Sequence, residues 1–384
     1  MRHDEIDVQN FVDERESDIK ILEKSINSSR KKTMLFQRLP FYRRRRTRSN
    51  FCKKQRSVRQ KRRHYLKTHV WYAKRFKMIK LDNVGIPIKR NQKSSKFIYK
   101  SQHRGFIFDE SFKKSYVCFL NDTNLRQFNI NYNLINKVQL IQTEEGYIEA
   151  IVTEKICILL LPMGMNCNFD VLAYFDCLIS LIKINDEFIK DFYMDVDGAI
   201  ENKTIFYVEN INNYESGKLF LSSKDVMRIW LHFIKKGCIP ICIEEMQRLA
   251  LENDYMVYPF DDVHSKMFKM LEDAQNTEFI NKYERTPKSK KTSINFEHLY
   301  IQTRDRVFFY IFELTKGVLN KNAFIYSTDN QLVGRVIRGN FCFTKGKSKG
   351  LCYTNDMLEL KKTFKAKNYN NNNFYEIKIV KLLL

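Results

Sequence analysis

Lysine and arginine are the residues of this chain whose types and spacing most clearly indicate a chemical role. Between Arg30 and Arg104 there are 27 Lys or Arg side chains and a single acid, Asp82, so this segment carries a charge of +26. The rest of the chain holds 40 basic and 43 acidic side chains, a net charge of −3. A concentrated positive charge on an otherwise near-neutral chain is typical of proteins that bind nucleic acid.

Arginine predominates in this basic segment, in the run at 43–46 and in the RQKRR stretch at 59–63. A guanidinium group grips phosphate through two hydrogen bonds and stacks on bases, which suits the loops and bulges of folded RNA. An arginine run is also typical of a nuclear-localisation signal, and the two roles are compatible. The predicted RNA-binding residues are Arg38, Arg43, Arg44, Arg45, Arg46, Arg48, Lys53, Lys54, Arg59, Arg62, Arg63, Lys67, His69, Trp71, Lys74, Arg75, His103 and Arg104.

The stretch 57–78 has no Gly or Pro and begins at a plausible N-cap, Ser57, so it predicts a helix. Its apolar stripe packs on the body of the protein, and a second stripe is cationic. The apolar stripe is Tyr65, His69, Tyr72 and Phe76; the cationic one is Arg59, Arg63, Lys67 and Lys74. Trp71 lies within the cationic stripe, where it stacks on a base or else serves as a core anchor. His69 has no second ligand at suitable spacing, so we interpret it as a packing residue, not a metal ligand.

The carboxylates and cysteines give weaker evidence of a chemical role. Asp195 with Asp197 and Asp261 with Asp262 are close in sequence but lack the partner motif of a metal-dependent nuclease, and solvated turns explain both pairs. DVDG at 195–198 resembles half of a calcium loop without its distal Glu. The nine cysteines include no CxxC pair, so we expect reduced, mostly buried thiols, with Cys238 and Cys242 as two core residues. No cofactor is expected on the protein.

Membrane insertion and secretion are not expected. The N-terminus MRHDEIDVQN is acidic and lacks the apolar region of a signal peptide. The longest apolar run, at 156–165, is about half of the ~20 residues that cross a bilayer. We therefore expect a soluble chain.

The pattern of helix-like and strand-like stretches that would position these residues predicts an α+β protein in five parts. They are an acidic arm at 1–33 with helical spacing, the basic segment at 34–105, an α+β core at 106–221, a central domain and linker at 222–292, and a β-rich, barrel-like domain at 293–384. Strands are predicted at 116–120, 147–153 and 156–161, and a helix at 169–185. After Ser222 the pattern predicts a helix, a break at 237–240 and a turn at 258–262. The acidic arm could dock on a partner protein.

Four stretches also carry a resemblance to a known family. YLKTHVWYAKRFKM at 65–78, preceded by RLPFYRRRRTRSN at 38–50, resembles the signature of the large "processing of precursors" protein subunit shared by eukaryotic ribonuclease P and ribonuclease MRP. YKSQHRGFIFDESF at 99–112 looks like the next block of that family, and WLHFIKKGCIPICIEE at 230–245 with VYPFDD at 257–262 is similar to its central domain. VGRVIRGNFCFTKGKSKGLCY at 333–353 resembles the C-terminal segment of the family and also the barrel of the glycine-cleavage T-protein.

The resemblance implies a non-catalytic, structural subunit of an RNA-based endoribonuclease. In that family the RNA component and its Mg²⁺ ions cleave the phosphodiester bond, for 5′ maturation of precursor tRNA and for rRNA processing. The implied partners are ribonuclease P RNA, possibly MRP RNA, the other protein subunits and, indirectly, precursor tRNA. The implied location is the nucleus and nucleolus.

Two alternatives stay open from the sequence. A ribosome-assembly factor or another basic ribonucleoprotein subunit would share every electrostatic feature and would differ only in the signature run. An enzyme is the second alternative, either a protein nuclease or a folate-dependent transferase like the T-protein.

Overall fold

The computed structural model describes residues 8–28, 76–81, 84–91, 104–119, 130–131, 133–135, 137–143, 146–153, 156–162, 172–184, 206–209, 215–222, 224–291, 307–314, 316–342, 345–360, 362–368 and 373–383. The chain divides into two compact units. The barrel unit comprises Met1–Lys61 and Arg304–Leu384, and the central unit comprises Arg62–Thr303.

The described helices and strands follow in chain order. The helices are α1 (Val8–Ser28), α2 (Val226–Lys235), α3 (Ile243–Glu252) and α4 (Lys266–Glu284). The strands of the central unit are β1 (Phe76–Leu81), β2 (Val84–Arg90), β3 (Phe106–Asp109), β4 (Lys113–Phe119), β5 (Val138–Thr143), β6 (Gly146–Val152), β7 (Ile156–Pro162), β8 (Ala173–Phe175), β9 (Cys177–Ile182), β10 (Phe206–Glu209), β11 (Glu215–Leu221) and β12 (Ile239–Pro240). The strands of the barrel unit are β13 (Phe308–Leu314), β14 (Phe324–Tyr326), β15 (Leu332–Cys342), β16 (Lys347–Thr354), β17 (Thr363–Lys367) and β18 (Phe374–Leu382).

The described strands of the central unit form two five-stranded sheets and a hairpin. The first sheet has the order β10-β11-β9-β3-β12, the second has the order β5-β6-β7-β4-β8, and β1 pairs with β2. Phe220 of the first sheet and Phe175 of the second lie in one buried cluster, with ring centroids 6.2 Å apart. The two sheets therefore share an apolar core.

The helices of the central unit cover the first sheet because each has one apolar stripe. Val226, Ile229, Trp230 and Phe233 of α2 are buried at helical spacing, and Gly237, with φ of +99°, follows the helix. The face of Ile107 and Leu181 packs with α2, whereas Phe106 and Phe108 point the other way and pack with α3 and α4. Side-chain alternation along β3 thus supplies two cores.

The strands of the barrel unit form a closed six-stranded barrel in the order β13-β16-β15-β14-β17-β18. Strand β17 alternates where one face meets solvent, with Phe364 and Ala366 buried while Thr363 and Lys365 are exposed. Gly346 has φ of +66°, as the turn between β15 and β16 requires. Gly350 lies over the Phe312 ring, which leaves no space for a Cβ atom.

Helix α1 packs on the barrel beside the turn between β15 and β16. The Arg15 Nε donates to the Gly346 carbonyl at 2.6 Å, and its guanidinium lies 4.7 Å from the centre of the Phe341 ring. Lys347 forms an ion pair with Glu14 at 2.9 Å. The acidic arm therefore docks within its own unit, through a charge pair and a cation–π contact.

Most predicted elements are present. The strands expected near 116, 147 and 156, the α1 helix, the break after α2 and the β-rich C-terminal barrel are confirmed. The helix predicted at 169–185 is wrong over its described part, where residues 173–182 form β8 and β9. All six residues of β9 are buried, because the strand lies inside the sheet and its sequence does not alternate. The five-part division of the chain stays a prediction.

Candidate nucleic-acid interface

The predicted RNA-binding residues fall almost entirely outside the described part of the chain. Among them the structure describes Arg104, which is exposed and lies two residues before β3. The other seventeen, from Arg38 to His103, lie outside the described residues, as do Asp195 and Asp197. Their contacts with RNA stay a prediction.

The C-terminal end of the signature run is described, and it corrects the predicted helix. Phe76, Lys77 and Met78 belong to strand β1, so a helix beginning at Ser57 cannot extend to Met78. Phe76 is nevertheless buried, as its place in the apolar stripe predicted. It packs in the core beneath α2, because the strand directs it onto the face of the sheet that carries Ile107 and Leu181.

Arg90, at the end of β2, joins this hairpin to α3. Its Nε donates to Glu245 at 2.6 Å, and a second guanidinium nitrogen donates to the same carboxylate at 3.0 Å and to the Pro240 carbonyl at 2.7 Å. The guanidinium also lies 4.9 Å from the centre of the Phe76 ring. Planar, two-pronged pairing of this kind is specific to arginine. The hairpin is thus held in a fixed position on the central unit.

Glu245 has a second role at the start of α3. Its Oε2 accepts a hydrogen bond from the Cys242 backbone N–H at 3.1 Å, which satisfies a donor at the helix terminus. One carboxylate therefore caps α3 and holds Arg90. Burial raises the pKa of the Cys242 thiol well above its ordinary value, so this residue stays protonated beside Glu245.

Three cations of the basic segment are consequently engaged within the protein. Besides Arg90, Lys77 pairs with Glu278 of α4, and Lys89 pairs with Glu244 at 3.4 Å. Both lysine pairs are partly exposed and contribute little to stability. The hairpin anchors the segment to the central unit, and carboxylates pair with three of its cations. Most cations of the segment, 19 of 27, precede Phe76.

The backbone at the start of β3 is also held in a fixed position. Gly105 has φ of +67°, and a Cβ atom there would lie 2.8 Å from Ile184 Cγ1. Its carbonyl accepts the Ile239 N–H at 3.1 Å, which begins the parallel pairing of β12 with β3. The exposed Arg104 therefore lies just before the firmly held start of β3.

A buried chain of four charges joins the two sheets of the central unit. Lys218 Nζ donates to Glu110 at 2.7 Å and to Ser180 at 3.0 Å, and Lys113 Nζ lies 3.3 Å from Glu110 and 2.7 Å from Glu149. Burial would raise the pKa of Glu110, but the two lysines bring it down to about 2. Burial raises the pKa of Glu149, which accepts a hydrogen bond from Lys113. Two cations facing two carboxylates explain why this network is tolerated in the core.

The paired carboxylates do not behave as the sequence predicted. Asp261 and Asp262 are fully buried, so they are not part of a solvated turn. Asp261 accepts from Gln247 at 2.7 Å and from the Val257 N–H at 2.6 Å, and Asp262 accepts from the His264 N–H at 3.0 Å. These hydrogen bonds stabilise the turn before α4. Among the described residues, no group of three or more His, Cys, Asp or Glu side chains is arranged to hold a metal ion.

The cysteines follow the prediction where they are described. Cys118, Cys157, Cys177, Cys238, Cys242, Cys342 and Cys352 are buried free thiols. Burial raises the pKa of Cys238 to about 11, which removes its reactivity as a thiolate. None of the described helices is both long enough and apolar enough to cross a membrane.

Sequence reasoning missed Arg90, Lys113 and Lys218. The sequence signal for the two lysines is weak, because Lys113 shares its strand face with Ser115 and Lys218 has Ser216 two residues before it. A lysine in that position requires a buried carboxylate. The identity of that carboxylate depends on strand pairing and could not be read from the sequence.

The fold is similar to that of a known class of protein. The crystal structure of the glycine cleavage system aminomethyltransferase T from Bartonella henselae matches with a TM-score of 0.50 and 11% sequence identity, over 83% of this chain and 96% of that chain. At this identity the similarity shows the fold alone. The predicted α+β fold with a barrel like that of the T-protein is confirmed.

Two family models then identify the chain more closely. The model described as "Ribonucleases P/MRP protein subunit POP1, N-terminal" matches residues 11–57 and 51–120, and the POPLD (NUC188) domain matches residues 216–310. Together they cover more than half of the chain. The chain belongs to the family of the POP1 subunit of ribonucleases P and MRP, as the resemblance predicted. No curated protein sequence matches the chain closely enough to count as a relative.

Proposed function

We propose that the chain is an RNA-binding structural subunit of ribonuclease P, and possibly of ribonuclease MRP, that stabilises the catalytic RNA. The observation that carries this proposal is the coincidence of the POP1 N-terminal match at 11–120 with the segment at 30–104 that bears a charge of +26. The β1–β2 hairpin also supports the proposal. It is fixed to the central unit, so the cations before Phe76 can bind RNA while the basic segment stays attached to that unit.

In this proposal the protein supplies positioning and the RNA supplies the chemistry. The RNA component, with its Mg²⁺ ions, would cleave precursor tRNA at the 5′ end and would act in rRNA processing. The protein binds no cofactor of its own, works in the nucleus and nucleolus, and meets the other protein subunits of the particle. Purified protein with Mg²⁺ should not cleave precursor tRNA, and robust cleavage by the protein alone would overturn this assignment.

Isolation of the protein from its cells, followed by sequencing of the bound RNA, tests the partner. We expect one abundant structured RNA species that supports 5′ cleavage of precursor tRNA. Recovery of ribosomal RNA alone would favour the ribosome-assembly alternative and would contradict the proposal.

A salt titration tests the contact surface. If roughly eight cations meet phosphates, log K should fall with a slope of about −6 to −7 per decade of salt. Replacement of Arg43, Arg44, Arg45 and Arg46 by Ala should reduce affinity and flatten that slope. A matched control replaces four exposed lysines of the central unit, Lys235, Lys269, Lys282 and Lys288. Equal slopes in the two variants would rule out the arginine run as the RNA contact.

Trp71→Ala distinguishes the two readings of that residue. RNA affinity should fall by about 1–3 kcal/mol if a base stacks on the indole. If the free energy of unfolding falls instead while the affinity of the folded protein is unchanged, Trp71 is a core anchor.

A further inference from the structure

The outer face of the barrel carries aromatic and cationic side chains on four adjacent strands. Inward-facing neighbours, such as Ile325, Phe364 and Ile377, lie in the barrel core, which fixes the direction of the residues between them. The outward set is Phe324 and Tyr326 of β14, Arg335 of β15, Lys365 and Lys367 of β17, and Phe374, Glu376 and Lys378 of β18.

Strand pairing brings this set together in one row. Phe324 lies opposite Arg335 on one side and opposite Lys367 on the other, and Lys367 in turn lies opposite Phe374. Rings and cations therefore alternate across β15, β14, β17 and β18. These residues span the sequence from 324 to 374, so the row exists only in the folded barrel.

The side chains are in contact along that row. The Arg335 guanidinium lies 5.0 Å from the centre of the Phe324 ring, and Lys367 Nζ lies 5.6 Å from that of Phe374. Tyr326 joins the two rings, at 6.3 Å from Phe324 and 5.8 Å from Phe374. The result is one continuous surface of three rings with cations at its edges and between its strands.

The surface is open to a ligand. Phe374 is 54% exposed, so much of its ring is accessible to solvent. Within the described part of the chain, Lys365, Lys367 and Lys378 form no ion pair, although Glu376 lies opposite Lys365. The described carboxylates therefore do not pair with these three lysines, in contrast to Lys77, Lys89 and Arg90 of the β1–β2 hairpin.

The region that contains the barrel strands, residues 304–384, also carries a net positive charge. Residues 304–384 contain 15 Lys or Arg and 6 Asp or Glu, a net charge of +9, whereas residues 105–303 contain 21 and 29, a net charge of −8. The near-neutral remainder outside the basic segment thus combines an acidic N-terminal arm and an acidic central part with a basic barrel part. A polyanion is the partner that complements the basic barrel part.

We propose that the outer face of β14, β17 and β18, with Arg335 of β15, is a second RNA-binding surface that holds unpaired nucleotides. Bases stack on Phe374, Tyr326 and Phe324, and Lys365, Lys367 and Arg335 contact the phosphates on either side. Sheets that bind single-stranded nucleic acid combine exposed rings and cations in this way. An acidic protein segment would use the cations but would leave the faces of the rings without a role. The inference deepens the proposed function and rests on it for RNA as the partner.

Photocrosslinking of the full chain to a 4-thiouridine-substituted oligouridine of about twelve nucleotides tests this surface directly. We expect crosslinks in peptides that contain Tyr326 or Phe374, in addition to those in the basic segment. The variant Tyr326→Leu with Phe374→Leu retains apolar side chains but removes the stacking faces. It should lose barrel crosslinks roughly five-fold or more and keep those in the segment.

Charge is tested by a matched pair of variants. Lys365→Gln with Lys367→Gln should weaken barrel crosslinking, whereas Lys282→Gln with Lys288→Gln removes the same charge from the central unit and should not. Thermal denaturation of each variant establishes that the barrel is folded.

Three outcomes would overturn the inference. Crosslinks confined to the basic segment would leave the proposed function intact and remove the second surface. An absence of crosslinks anywhere in the chain would count against both. If the barrel variants lose binding to a labelled polyglutamate peptide while RNA crosslinking is unchanged, the surface binds protein.

Discussion

Lysine side chains occupy two opposite environments in this protein. Lys113 and Lys218 of the central unit are buried and face carboxylates at hydrogen-bonding distance. Lys365 and Lys367 of the barrel lie on an outer face beside aromatic rings, with no ion pair among the described residues. The first pair can only stabilise the fold, since its charge is already balanced. The second pair is assigned to RNA in the proposal above, so the surroundings of a lysine, and not its presence, distinguish structural residues from candidate binding residues.

The largest effect should come from breaking the buried network. Lys218→Met leaves Glu110 with Lys113 as its remaining cation, and the loss of one partner from a buried pair costs about 3–5 kcal/mol in free energy of unfolding. Lys365→Met on the barrel should change it by less than about 0.5 kcal/mol. Urea denaturation of both variants measures the difference, and equal losses would refute the distinction between the two environments.

Arg90→Ala should have the next largest effect. It removes two hydrogen bonds to Glu245, one to Pro240 and the contact with Phe76, so we expect a loss of about 2–3 kcal/mol. The neighbouring Lys89→Ala breaks a partly exposed pair and should cost at most about 1 kcal/mol. Chemical denaturation monitored on the central unit compares the two, and the prediction fails if Lys89 proves the more costly residue.

Asp109→Asn should change how stability depends on pH. Burial raises the pKa of Asp109 to about 7, against the hydrogen bonds from Ser111 that lower it. Because the folded-state pKa exceeds the unfolded one, the contribution of this group is complete below about pH 4 and is lost as the pH rises through 7. The variant mimics the protonated form. The free energy of unfolding of Asp109→Asn, relative to that of the wild type, should therefore increase from pH 4 to 7. A constant difference over that range would contradict the assignment.

The Glu110 carboxyl should show the opposite dependence. Its pKa is lowered, so its contribution is present above the unfolded value and is lost as the pH falls towards 2. Glu110→Gln should accordingly abolish part of the acid sensitivity of the wild type. Denaturation curves below pH 4 would distinguish this effect from that of Asp109.

The smallest effect should be at helix α1. Arg15→Ala removes the hydrogen bond to Gly346 and the contact with Phe341, which together contribute about 1–2 kcal/mol to the docking of the helix. Lys20→Ala, whose pair with Glu16 is fully exposed, is the control and should have no measurable effect. Amide hydrogen exchange of α1 reports docking, and unchanged exchange in Arg15→Ala would show that the helix is held elsewhere.

Much of the fold could be predicted from the sequence because hydrophobic period gives the type of each element. Several strands with one solvent-facing side and helices α1 and α2 were predicted correctly, and the turn glycines indicated the barrel hairpin, whereas helix α4 was not predicted. The segment that forms β8 and β9 was predicted as helix, because β9 is buried on both faces and shows no alternation, and β8 has only three residues. The continuation of the signature run into strand β1 was missed for a related reason, since the run also fits a helical stripe.

The site was predictable in charge but not in geometry. Counting cations located the segment at 30–104, whereas the pairing of Arg90 with Glu245 joins residues 155 positions apart and depends on the tertiary fold. The barrel face likewise depends on four strands whose order, β15-β14-β17-β18, differs from their order in the chain. A sequence shows which residues carry charge, and the fold decides which of those charges are balanced.

Lysine acetylation of the assembled particle, read by mass spectrometry before and after digestion of its RNA, tests the central claim most directly. We predict that Lys53, Lys54, Lys67 and Lys74 become reactive only after digestion, that Lys113 and Lys218 stay unreactive in both states, and that Lys282 and Lys288 react in both. Equal reactivity of the first group before and after digestion would contradict the assignment of the basic segment to RNA.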